Sequence, residues 1–356
     1  MGFDSRHYTD SIQNDLQEIV SHSLNDLEVL VNQKVVITGS SGFIGTWLAM
    51  SWLYAHQVLN GTGSLLLTSR NPRSQQSLHE AVDPNTAATY VASDIRDLFI
   101  PEDFHGAYFV HAATPASETL NVSQPTQMLD IIIQGQRRVL SEATRTGSRR
   151  FLFLSSGAVY GKQPLDVDYL TEDWSGGPDI TDPRSAYHEG KRVAELMGNL
   201  TAQQDGLQFV SARLFAFLAP FLPMDTHFAA GNFMKDAYSG RPIHIQSGGG
   251  SVRSYQYATD MCSWLWALLV RGGVGRGYNV GSDEIVTIRE LAEQINQNIK
   301  SSGKVSVLGQ DTEENVSRYV PDVSLCRSLF TVENYVNLEK AIMRTEKWLL
   351  TSNGKK

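Results

Sequence analysis

Tyr187 and Lys191 lie four residues apart in Ser185-Ala186-Tyr187-His188-Glu189-Gly190-Lys191-Arg192-Val193-Ala194-Glu195-Leu196, a stretch that reads as the start of a helix. That spacing sets a phenol and an ammonium on one helix face, one turn apart. A nearby ammonium, together with the positive charge of an oxidised nicotinamide ring, favours the phenolate and moves its pKa from about 10 toward the working pH, so Tyr187 could act as a general base. Upstream, Arg150-Phe151-Leu152-Phe153-Leu154-Ser155-Ser156-Gly157-Ala158-Val159-Tyr160-Gly161 reads as an apolar strand ending in two hydroxyl residues. A hydroxyl at that strand end, placed opposite the phenol, can hold the same substrate oxygen, which makes Ser156 the third candidate.

Three such groups need a scaffold, and the stretch from Lys34 to Leu48 supplies its first part. Val35-Val36-Ile37 is a β-branched run suited to a strand buried on both faces. It is followed by Gly39, Ser41, Gly42, Phe43, Ile44 and Gly45, and then by a helical pattern over Thr46 to Val58. Glycines at every third position let the turn approach a ligand and let the helix pack on the strand. The backbone N–H groups at that helix start would face an anion, in this setting a dinucleotide pyrophosphate. A second strand ends at Ser69 and Arg70, a hydroxyl and a guanidinium where an acid would otherwise bind ribose hydroxyls; they suit a 2′-phosphate and favour NADP over NAD. A third strand leads into Asp94 and Ile95. A fourth ends at Ala112, Ala113 and Thr114, small residues where the backbone could approach the cofactor, with His111 before them read as structural. Strands alternating with helical segments, including an amphipathic helix over 127–146, predict an α/β, doubly wound parallel sheet.

The remaining composition narrows the function. A formal net charge of −8 argues against a nucleic-acid backbone as partner, while leaving room for a local basic pocket for a phosphorylated small molecule. Cys262 and Cys326 form neither a disulfide framework nor a metal spacing, so no metal is expected. Residues 1–32 read as a helical N-terminal extension without the order of a signal peptide. Trp264 to Val270 is too short to span a bilayer and reads as a buried helix; a cytoplasmic protein with no membrane partner is expected. After Phe217 the chain changes character, with Pro220, Pro223 and His227 ahead of a further helix. There Asn232 could donate to a phosphate and Lys235 could pair with one. His244 reads as structural, and Thr287 with Glu290 reads as a helix capping box.

Taken jointly, Gly39/Gly42/Gly45, the Ser-Ser-Gly-Ala-Val-Tyr-Gly strand end and Tyr187-x-x-x-Lys191 resemble the extended short-chain dehydrogenase/reductase family, in its nucleotide-sugar epimerase/dehydratase branch. The likeness continues through Arg253 with Tyr255, Tyr257 and Asp260, through Tyr278-Asn279-Val280-Gly281, and into Arg318-Tyr319-x-Pro321-Asp322. It implies a Rossmann-type NAD(P)-binding domain over 33–215 and a smaller α/β substrate-binding domain over 216–356. A segment at about 256–282 would return to the first, and the whole would be a homodimer acting on a nucleoside diphosphate sugar. By resemblance Tyr187 is the catalytic base, Lys191 orients the nicotinamide ribose, and Ser156 holds the sugar oxygen being oxidised. Asp94 and Ile95 meet the adenine, and Arg253 and Arg318 meet the diphosphate, where a guanidinium fork fits phosphate geometry.

Departures from the family pattern are informative. Dehydratases and UDP-glucuronate decarboxylases carry an acid just after the catalytic hydroxyl, where this chain has Gly157 and Ala158, although Pro115-Ala116-Ser117 and the residues around Tyr187 look similar to the decarboxylases. Ile132 and Ala216 stand where many members have asparagine. The expected activity is therefore epimerisation through a transient keto intermediate. The alternatives are NADPH-dependent reduction of a 4-keto sugar nucleotide, 4,6-dehydration using another acid from the 114–118 loop, and a non-catalytic cofactor-sensing protein.

Overall fold

The computed structural model describes residues 3–85, 88–115, 117–224, 228–299, 303–312 and 315–352; Ala116 and His227 lie outside them. The chain enters through helices α1 (Asp10–His22) and α2 (Leu24–Leu30), then β1 (Lys34–Thr38), α3 (Phe43–Val58), β2 (Ser64–Ser69), α4 (Gln76–Val82), β3 (Ala88–Ala92) and β4 (Tyr108–His111). It continues through α5 (Glu118–Ser123), α6 (Pro125–Arg145), β5 (Arg150–Ser156), α7 (Ser185–Asp205) and β6 (Phe209–Leu214). The remaining strands are β7 (Ala216–Phe217), β8 (Ile243–Ile245), β9 (Val252–Gln256), β10 (Arg276–Val280), β11 (Ile285–Thr287), β12 (Val305–Val307) and β13 (Arg318–Tyr319). Between and after them run α8 (Ala229–Tyr238), α9 (Ala258–Arg271), α10 (Ile288–Asn298), α11 (Ser324–Phe330) and α12 (Leu338–Ser352).

Seven strands form one parallel sheet in the order β10-β6-β5-β4-β1-β2-β3. Its central strands are apolar on both faces because helices cover both: Val35 and Ile37 belong to one hydrophobic cluster, and Val36 between them belongs to another. The order reverses between β1 and β4, which places the crevice for a ligand at the carboxyl ends of those two strands. Helix α3 starts at Phe43, three residues before the sequence pattern, because Gly42 already has the extended backbone of an N-cap.

The N-terminal helices do not project from this sheet. Ile12, Leu16 and Ile19 are fully buried, the Tyr257 hydroxyl donates to Asp15 at 2.6 Å, and Arg271 Nε lies 2.8 Å from Asp26 Oδ1. They cover α9, whose Trp264, Leu265 and Trp266 are fully buried as the sequence expects. Beyond β6 a smaller assembly forms around β9, which pairs antiparallel with β11 and parallel with β13 and β7; β8 and β12 make a separate parallel pair. Strand β10 then returns to the main sheet beside β6. The Thr287–Glu290 capping box forms at the start of α10, and His244 sits exposed in mid-strand.

Candidate functional site

The turn after β1 is built for close approach. Gly39 has φ +67°, and a Cβ there would lie 2.6 Å from the Ala112 carbonyl oxygen and 2.7 Å from Ala113 Cα. Glycine is required both for the backbone conformation and for the contact between the β1 and β4 ends. A Cβ at Gly45 would run into the Gly39 carbonyl, so the first turn of α3 sits directly on the loop. No side chain caps that helix, and its N-terminal N–H groups and dipole are turned to the crevice, a fit for a dinucleotide pyrophosphate. Thr46 anchors the turn by donating to the Gly42 carbonyl at 2.7 Å and accepting from Gln75 Nε2 at 2.8 Å.

At the carboxyl end of β2, Ser69 Oγ accepts from the Asn71 N–H, and Arg70 is exposed. Asp94 is bound by Arg96 through Nε at 2.8 Å and Nη2 at 3.0 Å. Those hydrogen bonds, helped by the Arg70 charge, hold its carboxyl down to about 2. Ile95 is buried against Gly135 of α6. His111 donates to or accepts from the Thr38 hydroxyl at 2.7 Å; burial, with the Lys191 charge adding, lowers its pKa to about 3, so it stays a neutral structural ring.

Helix α7 brings the chemical groups to the crevice. Its first turn is tied down by Asn121 of α5, which accepts from the Tyr187 N–H at 3.2 Å and donates to the Arg184 carbonyl at 2.8 Å. Midway, a Cβ on Gly190 would meet Ile132 Cδ1 at 2.9 Å: the isoleucine that departs from the family pattern packs α6 against α7 between Tyr187 and Lys191. Lys191 Nζ donates to Leu154 O at 2.6 Å and Thr114 Oγ1 at 3.0 Å, and lies 5.9 Å from the Tyr187 ring centre. Thr114, just beyond the end of β4, therefore touches the Lys191 ammonium directly. Burial lowers Lys191 to about 7, opposed by the charge of Glu195.

Tyr187 differs from the sequence expectation. Burial of the phenol raises its pKa rather than lowering it, outweighing the opposing influence of the Ser156 hydroxyl. The Lys191 ammonium is turned to a carbonyl and a hydroxyl rather than to the phenol. Ser156 Oγ accepts from the Ala158 N–H at 3.1 Å and lies 3.4 Å from the Tyr319 hydroxyl.

The position after Ser156 is closed. A Cβ on Gly157 would fall 2.6 Å from Phe215 Cζ, and the Phe215 ring packs on Tyr319 with centres 4.5 Å apart. Arg253 pairs in register with Tyr319 across β9 and β13, donating to the Ser317 carbonyl and hydroxyl. Burial disfavours its charge, a cost that an anionic ligand would relieve. Arg318 does not join it: strand alternation sends its side chain to the other face, where Nη1 lies 3.1 Å from Asp168 Oδ1. Asn232 is half-buried in the first turn of α8, and Lys235 is exposed.

Sequence reasoning did not single out Tyr319, Asn121 or Glu195 as site residues. Glu195 was legible as the next i+4 position after Lys191. It is buried, accepts from Ser155 Oγ at 2.6 Å and pairs with Arg213 at 2.8 Å. Asn121 and Tyr319 reach the site only through contacts 66 and 163 residues distant in sequence.

A sequence model of the NAD dependent epimerase/dehydratase family matches residues 35–281. Among characterised proteins, the chain is 27% identical to UDP-glucuronic acid decarboxylase 1 of Xenopus tropicalis over 88% of its own length and 71% of that protein's. It is 28% identical to UDP-glucuronic acid decarboxylase 6 of Arabidopsis thaliana over 87% of each. Among solved structures, an epimerase from Methanothermobacter thermautotrophicus superposes with a TM-score of 0.79 at 22% identity, covering 94% of this chain and 97% of that one. UDP-glucose 4-epimerase of Thermotoga maritima, with UDP-glucose, gives 0.75 at 18% identity over 90% and 99%.

Proposed function

This chain belongs to the NAD dependent epimerase/dehydratase family, an enzyme family of extended short-chain dehydrogenase/reductase type, and from that membership we propose that it epimerises a nucleoside diphosphate sugar through a transient keto intermediate. The observation that carries the choice within the family is the closed wall beside Ser156: Phe215 occupies the space an acidic side chain at 157 would need. Ser156, Tyr187 and Lys191 supply the groups of hydride-transfer chemistry, and the two positions after Ser156, Gly157 and Ala158, carry no acid for elimination or decarboxylation.

In this reading a bound nicotinamide would supply hydride exchange at one sugar carbon, removal from one face and return to the other after the keto sugar turns over. Tyr187 takes the proton of the sugar hydroxyl and later gives it back. Ser156 holds the same oxygen, Lys191 supplies positive charge at the ribose edge, and Arg253 holds the diphosphate. Asn232 is assigned to the substrate side as well. Ser69 and Arg70 favour NADP at the adenosine end, where Arg96 already neutralises Asp94. A homodimer through α6 and α7 is part of the reading, supported by the exposed Leu196 and Leu200 on α7, and so is a cytoplasmic location. Among the described residues no helix is long and apolar enough to cross a membrane.

The sequence relatives favour a second reading, decarboxylation of UDP-glucuronate. Incubating the protein with UDP-glucose or UDP-glucuronate, with NAD or NADP added in turn, separates the two by NMR of the products. A 4-epimer with retained carbon count supports the proposal; a UDP-pentose with released carbon dioxide overturns it in favour of the second.

A further inference from the structure

We propose that Asn121 is a positioning residue of the reaction site: it caps α7 from outside that helix and so holds Tyr187 in place. The inference rests on the reading of Tyr187 as the base.

Backbone accounting carries the argument. Helix α7 begins at Ser185, so its first N–H groups have no partner within the helix. Ordinarily a side-chain oxygen at the preceding position accepts from the second or third of them. Here that position is Arg184, whose backbone is already helical and whose guanidinium is bound to Asp182, so it caps nothing. Ser185 gives its hydroxyl proton to the Asp179 carbonyl at 2.6 Å. The third N–H is that of Tyr187, and Asn121 Oδ1 accepts from it at 3.2 Å across 66 residues of sequence. The other end of the same amide, Nδ2, donates to the Arg184 carbonyl at 2.8 Å. Only one orientation of the amide satisfies both contacts, since the N–H needs the oxygen and the carbonyl needs the nitrogen. Asn121 is 4% exposed, and its neighbour Leu120 packs against the same hydrophobic cluster as Tyr187.

The connection that leaves β4 at the crevice reaches both chemical groups of α7. Thr114 accepts from Lys191 Nζ at 3.0 Å at one end of it, and Asn121 accepts from the Tyr187 N–H at the other. The held N–H is one bond from the Tyr187 Cα, whereas Lys191 lies a turn deeper in the helix and keeps its own partners, Leu154 O and Thr114 Oγ1. Loss of the Asn121 cap therefore lets the phenol move while the ammonium stays.

The test compares Asn121→Leu, which keeps the approximate shape and removes both contacts, with Asn121→Asp, which keeps an oxygen for the Tyr187 N–H. A single 3-fluorotyrosine at position 187, read by fluorine NMR in the NAD-saturated protein, reports the placement of the ring, and amide hydrogen exchange over 184–190 reports the cap. In Asn121→Leu the fluorine resonance should shift or split and exchange at the start of α7 should quicken about fivefold; Asn121→Asp should restore both. With UDP-glucose, kcat of the leucine variant should fall about 10- to 100-fold while NAD affinity, read by calorimetry, changes by less than about twofold. A fluorine resonance unmoved by the leucine, one moved equally by the aspartate, or a loss of NAD affinity matching the loss of kcat overturns the proposal. If Asn121→Leu does not fold, Asn121→Ser, too short to reach the N–H, takes its place. A parent protein that turns over neither UDP-glucose nor UDP-glucuronate would sink the functional reading, and the fluorine and exchange readouts would still decide this inference.

Discussion

Glu195 stands one helical turn beyond Lys191 on α7, and its carboxylate is the charge that opposes the lowering of the Lys191 ammonium by burial. Arg213 grips that carboxylate at 2.8 Å and Ser155 donates to it at 2.6 Å, so the charge is fixed in place. Tyr187, Lys191 and Glu195 therefore form one stripe along α7, with successive members one turn apart.

Replacing Glu195 with glutamine should drop the Lys191 pKa further below about 7. If the reaction needs the ammonium, kcat/KM at neutral pH falls and is recovered in part at lower pH. Leaving Arg213 without its partner should also cost about 3–5 kcal/mol of stability. A pH–rate profile and a denaturant melt check the two effects separately.

Lys191→Met should be inactive yet more stable near neutrality. The folded pKa of Lys191, about 7, lies below the unfolded value of 10.5, so between those values the unfolded chain binds more protons and stability rises with pH. The methionine variant escapes that penalty, with an expected gain of about 1–4 kcal/mol at pH 7 that shrinks toward pH 10. Unfolding free energies measured across this range would show the opposite trend if the lysine were stabilising.

Asp260 gives a linkage of opposite sign. Burial between α9 and the chain at Val336 raises its carboxyl to about 7, and its Oδ1 is buried without a hydrogen-bond partner. The folded state binds the extra proton between the ordinary carboxylate value and 7, so this group's contribution to stability is full at low pH and is lost as pH rises through about 7. Asp260→Asn should flatten that part of the pH–stability curve and raise the melting temperature at pH 8.

Gly39→Ala should weaken cofactor binding and stability together. The residue sits at φ +67° against the Ala112 carbonyl, and a strained backbone of this kind costs about 1–3 kcal/mol. Calorimetric titration with NAD and NADP, on the variant and the parent protein, reads the loss directly and reports which cofactor is preferred.

Placing glutamate at 157 should not create an elimination or decarboxylation site. The side chain would displace the Phe215 ring and with it Tyr319, at an expected cost of about 1–3 kcal/mol. Product analysis with UDP-glucuronate, alongside a melt, would expose the error if a pentose product appeared in a stable variant.

Much of the fold is written locally. The β-branched run before Gly39, the glycine spacing after it and the Tyr187/Lys191 interval each follow from the period of a strand, a turn or a helix, and the seven-strand parallel sheet confirms the fold class they imply. What alternates or recurs along a few residues can be read without knowing what lies across the molecule. Long-range facts could not be read that way. The turning of Lys191 toward Leu154 and Thr114, the upward rather than downward shift of Tyr187, the separation of Arg318 from Arg253 and the arrival of Tyr319 at Ser156 all depend on burial and on contacts between distant segments. The sequence by itself determined which residues could do the chemistry and on which elements they ride. Only the tertiary structure decided how dry each group is and which proton or charge it meets, because desolvation and hydrogen-bond partners are properties of the packed chain.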